Sequence, residues 1–189
     1  MQKKGIDMKA RIPTNETERL KALYWYELLD TMAEEIFDDL TLLTSHVCNT
    51  PIALISLIDK DRQWFKSKIG LNVSETPRDI AFCSHVILQS DVFEVQDALK
   101  DQRFATNPLV TAGPHIRFYA GAPIKTTEGH ALGTVCVIDH VPRELNPKQK
   151  ESLSILSRIV ASLFKQRRYI RELERTTSDS SVTEAIEIS

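Results

Sequence analysis

Polar side chains that could do chemistry are concentrated between residues 78 and 119. The segment holds arginines, histidines, a cysteine and a tyrosine, several of them beside apolar neighbours that would partly exclude water. A partly buried arginine binds a carboxylate or phosphate through two parallel hydrogen bonds. This pattern predicts a ligand-binding site, favours an anionic or amide-bearing ligand, and assigns to the site Arg78, Cys83, His85, Asp97, Arg103, His115, Arg117 and Tyr119.

The arginines and aspartates of this segment also have a purely structural interpretation. Residues 70–115 contain three prolines and several turn-rich stretches, so the segment reads as a long irregular insert. Irregular backbone must pair its own donors and acceptors. Ion pairs among these side chains could therefore pin the insert to the rest of the fold, and the sequence leaves both interpretations open.

Cys83 and His85 raise the question of a nucleophile or a metal site. Helical residues two apart point about 200° away from each other, so the two side chains cannot easily share an ion. Zinc-ligand spacings such as CxxC are absent from the sequence. We therefore predict no catalytic residue and no metal site, and the sequence leaves any cofactor unknown. The alternative is a reactive thiolate at Cys83 whose pKa is lowered by His85 or His115.

Length and charge exclude several classes of protein. A chain of 189 residues buries about 70% of its unfolded surface, enough for one core and too little for a further output domain. With 24 basic and 26 acidic residues, the net charge of −2 gives no electrostatic reason to expect nucleic-acid binding.

The expected compartment is the cytoplasm. The three cysteines lie far apart and form no disulfide framework, which favours a reducing environment. Charged residues interrupt the N-terminal stretch where a signal peptide would be apolar. No stretch approaches the roughly 20 apolar residues of a membrane span, so we expect no membrane partner.

Hydrophobic periodicity predicts helices at both ends of the chain and strands between them. Helices are expected after Asn15, from a capping box at Thr31-Met32-Ala33-Glu34, and after Asn146-Pro147. Apolar or alternating runs predict two hairpins, at 52–69 and 116–138, and a short strand at 92–95. In the first hairpin, the first strand should be covered on both faces and the second on one. This order predicts an α+β fold with an antiparallel sheet and the terminal helices on one face.

The last helix carries a heptad-like seam, and the tail after it is acidic. The seam predicts packing against a second helix, whereas the basic residues around it are expected on a solvated face. Three acidic and no basic residues between 176 and 189 predict a disordered tail. The seam consists of Leu153, Leu156, Val160, Leu163, Arg167 and Ile170.

Many short motifs, in order along the chain, resemble the GAF-domain family of bacterial signalling proteins. They cover residues 13–165, which we take as the domain, with 1–12 as a flexible leader and 166–189 as the end of a signalling helix and its acidic tail. The matching motifs include Asn15-Glu16, Pro51-Ile52-Ala53, Asp61-Arg62-Gln63-Trp64-Phe65-Lys66, Glu75-Thr76-Pro77-Arg78, Phe82-Cys83, Asn107-Pro108-Leu109-Val110, Arg117-Phe118-Tyr119-Ala120-Gly121 and Gly133-Thr134-x-Cys136-x-Ile138-Asp139.

The resemblance implies a GAF-like, profilin- or PAS-like sheet of about six antiparallel strands with a ligand pocket under the irregular insert. It also implies a sensory module that binds a small ligand and relays through its C-terminal helix, within a homodimer, to a downstream signalling protein. Two alternatives remain open: a cysteine-based redox enzyme like the GAF-type sulfoxide reductases, and a ligand-free dimerisation scaffold. The fold by itself does not decide between them.

Overall fold

The computed structural model describes residues 9–187, with side chains as far as residue 177. Two helices come first, α1 (Glu16–Trp25) and α2 (Glu35–Cys48). Strands β1 (Ile52–Ile58), β2 (Arg62–Ile69) and β3 (Glu75–Pro77) follow, then α3 (Cys83–Val86), β4 (Phe93–Val95) and α4 (Pro108–Thr111). Strands β5 (Phe118–Lys125) and β6 (Ala131–Asp139) precede the long final helix α5 (Pro147–Glu187).

The six strands form one antiparallel sheet in the order β3-β2-β1-β6-β5-β4. Both predicted hairpins and the short strand β4 are present, so the predicted α+β class and six-stranded sheet are confirmed. Strand β3 and helix α4 were not predicted, because elements of three and four residues leave no periodic pattern.

The sheet separates two apolar cores. One core lies under α1, α2 and α5, and strands β1 and β6 give it alternate residues such as Ile55, Val135 and Val137. The other lies under the insert, which packs Phe82 and Phe104 onto Leu54 and other residues of the opposite sheet face. The sheet is therefore covered on both sides, and the insert side holds the candidate site.

Strand β2 is buried on both faces, although alternation predicted burial on one. Its polar residues are buried because they meet specific partners. Lys66, whose side chain is fully buried, donates to Thr31 Oγ1, Met32 O and Glu34 Oε1 at 2.6–2.9 Å. Ser67 donates to Asp38 Oδ1 across 2.6 Å. A pattern of alternating apolar and polar residues assigns every polar side chain to the solvent. It contains no information on whether that side chain has a buried hydrogen-bond partner.

Helix α2 begins at Glu35 rather than through the predicted capping box. Thr31 Oγ1 donates to Leu28 O, and Glu34 pairs with Lys66 and Arg167 instead of capping the helix. The predicted start of α5 is confirmed: Asn146 and Gln149 cap each other reciprocally at 3.0 Å.

The final helix differs from the prediction in its seam and in its length. Leu153, Leu156 and Val160 are buried against the sheet of the same chain, so the first half of the seam is not free for a second helix. The backbone stays helical through Glu187, where the composition predicted a disordered tail from residue 176. The predicted leader, residues 1–12, lies mostly outside the described residues.

Candidate functional site

A cavity of about 430 Å³ lies between the insert and the sheet. Leu54, Phe65, Tyr119 and Ile138 contribute from the sheet, on the face opposite the helices. The insert closes it with residues from both of its ends. Among the residues that the structure describes, one charged side chain lies in the wall, that of Glu75, which accepts a hydrogen bond from Arg62 Nη1 across 2.7 Å. Insert residues in the wall are Leu71, Asn72, Val73, Thr76, Pro77, Ile80, Phe82, Cys83, Leu109, Gly113, Pro114 and Ile116.

Five buried polar groups form a connected cluster, which we call the Cys83 cluster: Ser56, Cys83, Tyr119, Thr134 and Cys136. Thr134 Oγ1 donates to Cys83 Sγ across 3.0 Å, and Tyr119 Oη lies 3.1 Å from the same sulfur. Cys136 Sγ lies 3.7 Å from Cys83 Sγ. Cys83 and Tyr119 also line the cavity, so the cluster borders the space that a ligand would occupy.

Local sequence explains why the cluster forms. Ser56 and Thr134 are opposite each other in the β1–β6 register, and their hydroxyl oxygens are 2.9 Å apart. Gly121 lies opposite Cys136 in β5–β6, and a Cβ atom there would be 2.6 Å from Tyr119 Oη. The missing side chain at Gly121 therefore makes room for the Tyr119 hydroxyl beside the two sulfurs.

The pKa values of the two thiols in the cluster are shifted in opposite directions. Burial by itself would raise the pKa of Cys83, but hydrogen bonds from Cys136, Ser56, Thr134 and Tyr119 outweigh it and lower the pKa to about 7. Burial and the adjacent Cys83 raise the pKa of Cys136 well above its ordinary value. The cluster thus favours a thiolate at Cys83 with a protonated Cys136 beside it.

Two oxygen atoms in the cavity wall have no hydrogen-bond partner within the part of the chain that the structure describes. They are Gln63 Oε1, on a side chain from β2 that is 95% buried, and Thr76 Oγ1 from β3. A buried polar atom without a partner costs about 1–3 kcal/mol. Such atoms in a cavity wall indicate where a ligand could be held.

Two predicted site residues line the cavity, Cys83 and Tyr119, and the other six do not. Arg117 instead makes a bidentate pair with Asp97, with N–O distances of 3.0 and 3.1 Å. Arg103 pairs with Asp101 and lies over the ring of Phe93. These four contacts fix the insert to itself and to β5, in agreement with the structural interpretation of these arginines and aspartates.

Arg78 and the two histidines also lie apart from the cavity. Arg78 donates to Glu16 Oε1 and to the carbonyls of Asp59 and Lys60, which ties α1 to the β1–β2 turn. His85 packs against the rings of Phe93 and Phe104. His115 is exposed between two lining residues, Pro114 and Ile116, in the left-handed conformation at φ 60°.

Four residues of the cluster and the cavity wall were not predicted as site residues, namely Ser56, Gln63, Thr76 and Thr134, and Cys136 was predicted only as a buried apolar residue. One signal was present for two of them. Ser56 and Thr134 are single hydroxyl residues within the apolar runs of β1 and β6. Because a buried hydroxyl needs a partner, two such residues in neighbouring strands indicate a buried polar contact.

Four arginines of the final helix pair with acids of the N-terminal region, although the side chains of Arg171 and Arg175 remain 40% and 59% exposed. Arg167 Nε donates to Glu34 Oε1 across 2.7 Å. Glu27 accepts ion pairs from three arginines on successive turns of the helix, namely Arg168, Arg171 and Arg175. The basic side of α5 is thus held by acids that precede α2.

Residues 9–187 contain neither a metal-binding cluster nor a membrane-spanning helix. That part of the chain has no group of three or more histidine, cysteine, aspartate or glutamate residues arranged to hold a metal ion. Nor does it contain a helix with the length and hydropathy needed to cross a membrane.

The fold and the cavity define a class of protein, and comparison with known proteins identifies it. The family model described as GAF domain matches residues 33–163, more than half of the chain. The chain therefore belongs to the GAF-domain family, as its motifs predicted.

One curated relative is a cyclic di-GMP phosphodiesterase of Pseudomonas aeruginosa, 47% identical over 131 residues. The match covers 69% of this chain, which spans only 22% of that relative. Its GAF-like segment is therefore a small part of a longer protein.

Solved structures with the same fold come from proteins of different function. The GAF domain of an Acinetobacter phosphoenolpyruvate-protein phosphotransferase has a TM-score of 0.61 at 15% identity, over 84% of this chain and 97% of that one. A type II free methionine-R-sulfoxide reductase of Thermoplasma acidophilum has a TM-score of 0.59 at 12% identity, over 75% and 96%. At these identities the likeness shows the fold alone.

Proposed function

We propose that the chain is a non-enzymatic sensory module, acting in the cytoplasm, that binds a small ligand in the cavity between sheet and insert. The observation that carries the proposal is the pair of unpartnered oxygens, Gln63 Oε1 and Thr76 Oγ1, in a wall whose residues are mostly apolar. A ligand that donates a hydrogen bond to Gln63 would remove the cost of leaving that oxygen buried and unpaired.

The wall also limits the chemistry of the ligand. Most of its residues are apolar, and its one charged side chain, Glu75, is acidic. The carboxylate of Glu75 is paired with Arg62 Nη1 at 2.7 Å, so the wall residues that the structure describes offer an anionic ligand no basic side chain. We therefore propose a neutral, mainly apolar molecule with an amide or hydroxyl donor, which keeps the amide-bearing alternative of the sequence-based expectation rather than the anionic one.

The signal would leave through α5 in a homodimer. Four exposed aliphatic residues of this helix form what we call the apolar strip, and together with Leu163 they follow one another at intervals of four, four, seven and three positions: Ile155, Ile159, Ile170 and Leu173. Leu163 lies between them, half-buried beside Ile36 in a groove of about 680 Å³ between α2 and α5. Apolar side chains at such spacing pack well against a second helix.

The curated relative suggests what the signal controls. This chain corresponds to about a fifth of a cyclic di-GMP phosphodiesterase. We propose that it regulates an enzyme of cyclic di-GMP turnover, as a domain or as a partner.

Native mass spectrometry of the chain purified from its own host tests the ligand proposal. We expect a small molecule bound to the wild-type chain and lost from Gln63→Leu, which removes the unpaired oxygen. The matched control is Gln166→Leu on the exposed side of α5, which should retain the molecule. A wild-type chain with no bound molecule would favour the ligand-free scaffold, and equal retention by both variants would exclude Gln63 as the contact.

A further inference from the structure

Two thiols lie close together where Cys83 lines the cavity, one from each of the layers that enclose it. Cys83 comes from α3 in the insert and Cys136 from the central strand β6, and their sulfur atoms are 3.7 Å apart. Both cysteines are free, and Cys83 lines the cavity while Cys136 lies beside it. A disulfide bond of about 2.05 Å would require the two sulfur atoms to approach each other by roughly 1.6 Å.

The hydroxyl groups around Cys83 are placed to stabilise a thiolate. Thr134 Oγ1 donates to its sulfur, and Tyr119 Oη lies within hydrogen-bond distance on another side. A thiolate, rather than a thiol, is the nucleophile in cysteine oxidation. Burial and the neighbouring Cys83 raise the pKa of Cys136, so it stays protonated while Cys83 reacts first. Cys136 is then suited to react with the oxidised Cys83.

We propose that Cys83 and Cys136 form an oxidisable dithiol that reduces a hydroperoxide entering the cavity and becomes a disulfide. This inference is independent of the proposed ligand and of its signal. The apolar wall above Cys83 would admit an organic hydroperoxide, and the thiol pair would supply both electrons.

The reaction balances in two steps. The Cys83 thiolate attacks the terminal peroxide oxygen; a sulfur–oxygen bond forms, the oxygen–oxygen bond breaks, and the leaving alkoxide takes up the proton that the thiol released. The resulting sulfenic acid is attacked by Cys136; the disulfide bond forms, the sulfur–oxygen bond breaks, and hydroxide leaves with the Cys136 proton as water. Two thiols and one hydroperoxide thus give one disulfide, one alcohol and one water.

The third cysteine provides an internal control. Cys48 lies at the end of α2 in the other core, on the opposite side of the sheet. Burial raises the pKa of Cys48 to about 11. Oxidation by this mechanism should therefore spare Cys48, whereas oxidation after unfolding would affect all three cysteines.

The test exposes the folded full chain to tert-butyl hydroperoxide and measures its intact mass and disulfide map. We expect the mass to fall by about 2 Da, one linkage between Cys83 and Cys136, a free Cys48, and reversal by dithiothreitol. The Cys48→Ala variant should behave in the same way. Cys136→Ala should stop at a sulfenic acid that dimedone traps, and Cys83→Ala should not react.

Several results would overturn the dithiol. These are three intact thiols in the wild-type chain, loss of Cys48 at the rate of Cys83, or a Cys83 that proceeds to sulfinic acid while Cys136 stays free. The wild-type disulfide map does not depend on the variants, so it decides the matter even if an alanine variant folds poorly.

Discussion

Arg167 of the final helix donates a hydrogen bond to Glu34 across 2.7 Å, and the same carboxylate oxygen accepts one from Lys66 Nζ in strand β2. Glu34 therefore joins the sheet to the helix that would carry a signal away from it. Lys66 is fully buried, and burial lowers its pKa while Glu34 acts in the opposite direction. Through this one carboxylate, strand β2 of the sheet is linked to helix α5.

Replacing Glu34 with glutamine should destabilise the protein by about 3 kcal/mol, because Lys66 would remain as a buried charge without its carboxylate. Urea unfolding followed by circular dichroism measures the change. The control is Glu35→Gln, an exposed position one residue later, which should change stability by no more than about 0.5 kcal/mol. Equal effects of the two substitutions would mean that the Glu34–Lys66 pair contributes nothing.

The sequence predicted the sheet well because sheet and core follow from hydrophobic patterning. The runs in β1 and β6 and the turn between β5 and β6 each carry a local signal, and all are found as expected. The capping box at Thr31 failed because Glu34 has stronger partners, Lys66 and Arg167, which are far away in sequence. Local rules cannot anticipate such partners.

The site was predicted less well, for a related reason. Arginines and aspartates stood out as unusual residues, but most of them satisfy one another, as Arg117 and Asp97 do. The cavity wall consists mostly of apolar residues. Its buried amide, Gln63, lies in a strand, where the sequence contains no signal that distinguishes it from a solvent-facing residue. The candidate site is marked by polar atoms that have no hydrogen-bond partner after folding. Such atoms can be identified only when the partners of all the other polar groups are known.

Gly133 should not tolerate any side chain. A Cβ atom there would be 1.8 Å from Ser56 O and 2.8 Å from Leu57 Cα, both in the neighbouring strand β1. Because those are main-chain atoms of the sheet centre, Gly133→Ala should cost at least about 3 kcal/mol. Gly113→Ala is the control, since no atom lies within 4 Å of its Cβ position. Thermal unfolding compares them, and a stable Gly133→Ala protein would contradict the β1–β6 packing.

The apolar strip of α5 should determine the oligomeric state. Ile170 is 56% exposed, and a glutamate there would place a charge in the proposed helix–helix contact. We expect Ile170→Glu to convert the dimer to a monomer in analytical ultracentrifugation, with an unchanged circular dichroism spectrum. Leu99→Glu, at an exposed apolar position of the insert, should remain dimeric. A wild-type chain that is monomeric at high concentration would refute the dimer itself.

The pH dependence of thiol alkylation should distinguish the three cysteines. With hydrogen bonds lowering the pKa of Cys83 to about 7, its rate with iodoacetamide should rise about tenfold per pH unit below 7 and level off above it. Cys48, whose pKa burial raises to about 11, should stay unreactive across this range. Mass spectrometry of alkylated peptides measures both rates in one sample.

The same titration predicts the sign of a stability change. Between pH 7 and 9 the folded chain holds fewer protons at Cys83 than the unfolded chain, so this group stabilises the fold increasingly as the pH rises. The contribution is lost as the pH falls through about 7. Urea unfolding at both pH values should show a larger gain for the wild type than for Cys83→Ala. If the two gains are equal, the Cys83 cluster does not hold a thiolate, and the hydroxyl groups of Thr134 and Tyr119 serve only to fill the core.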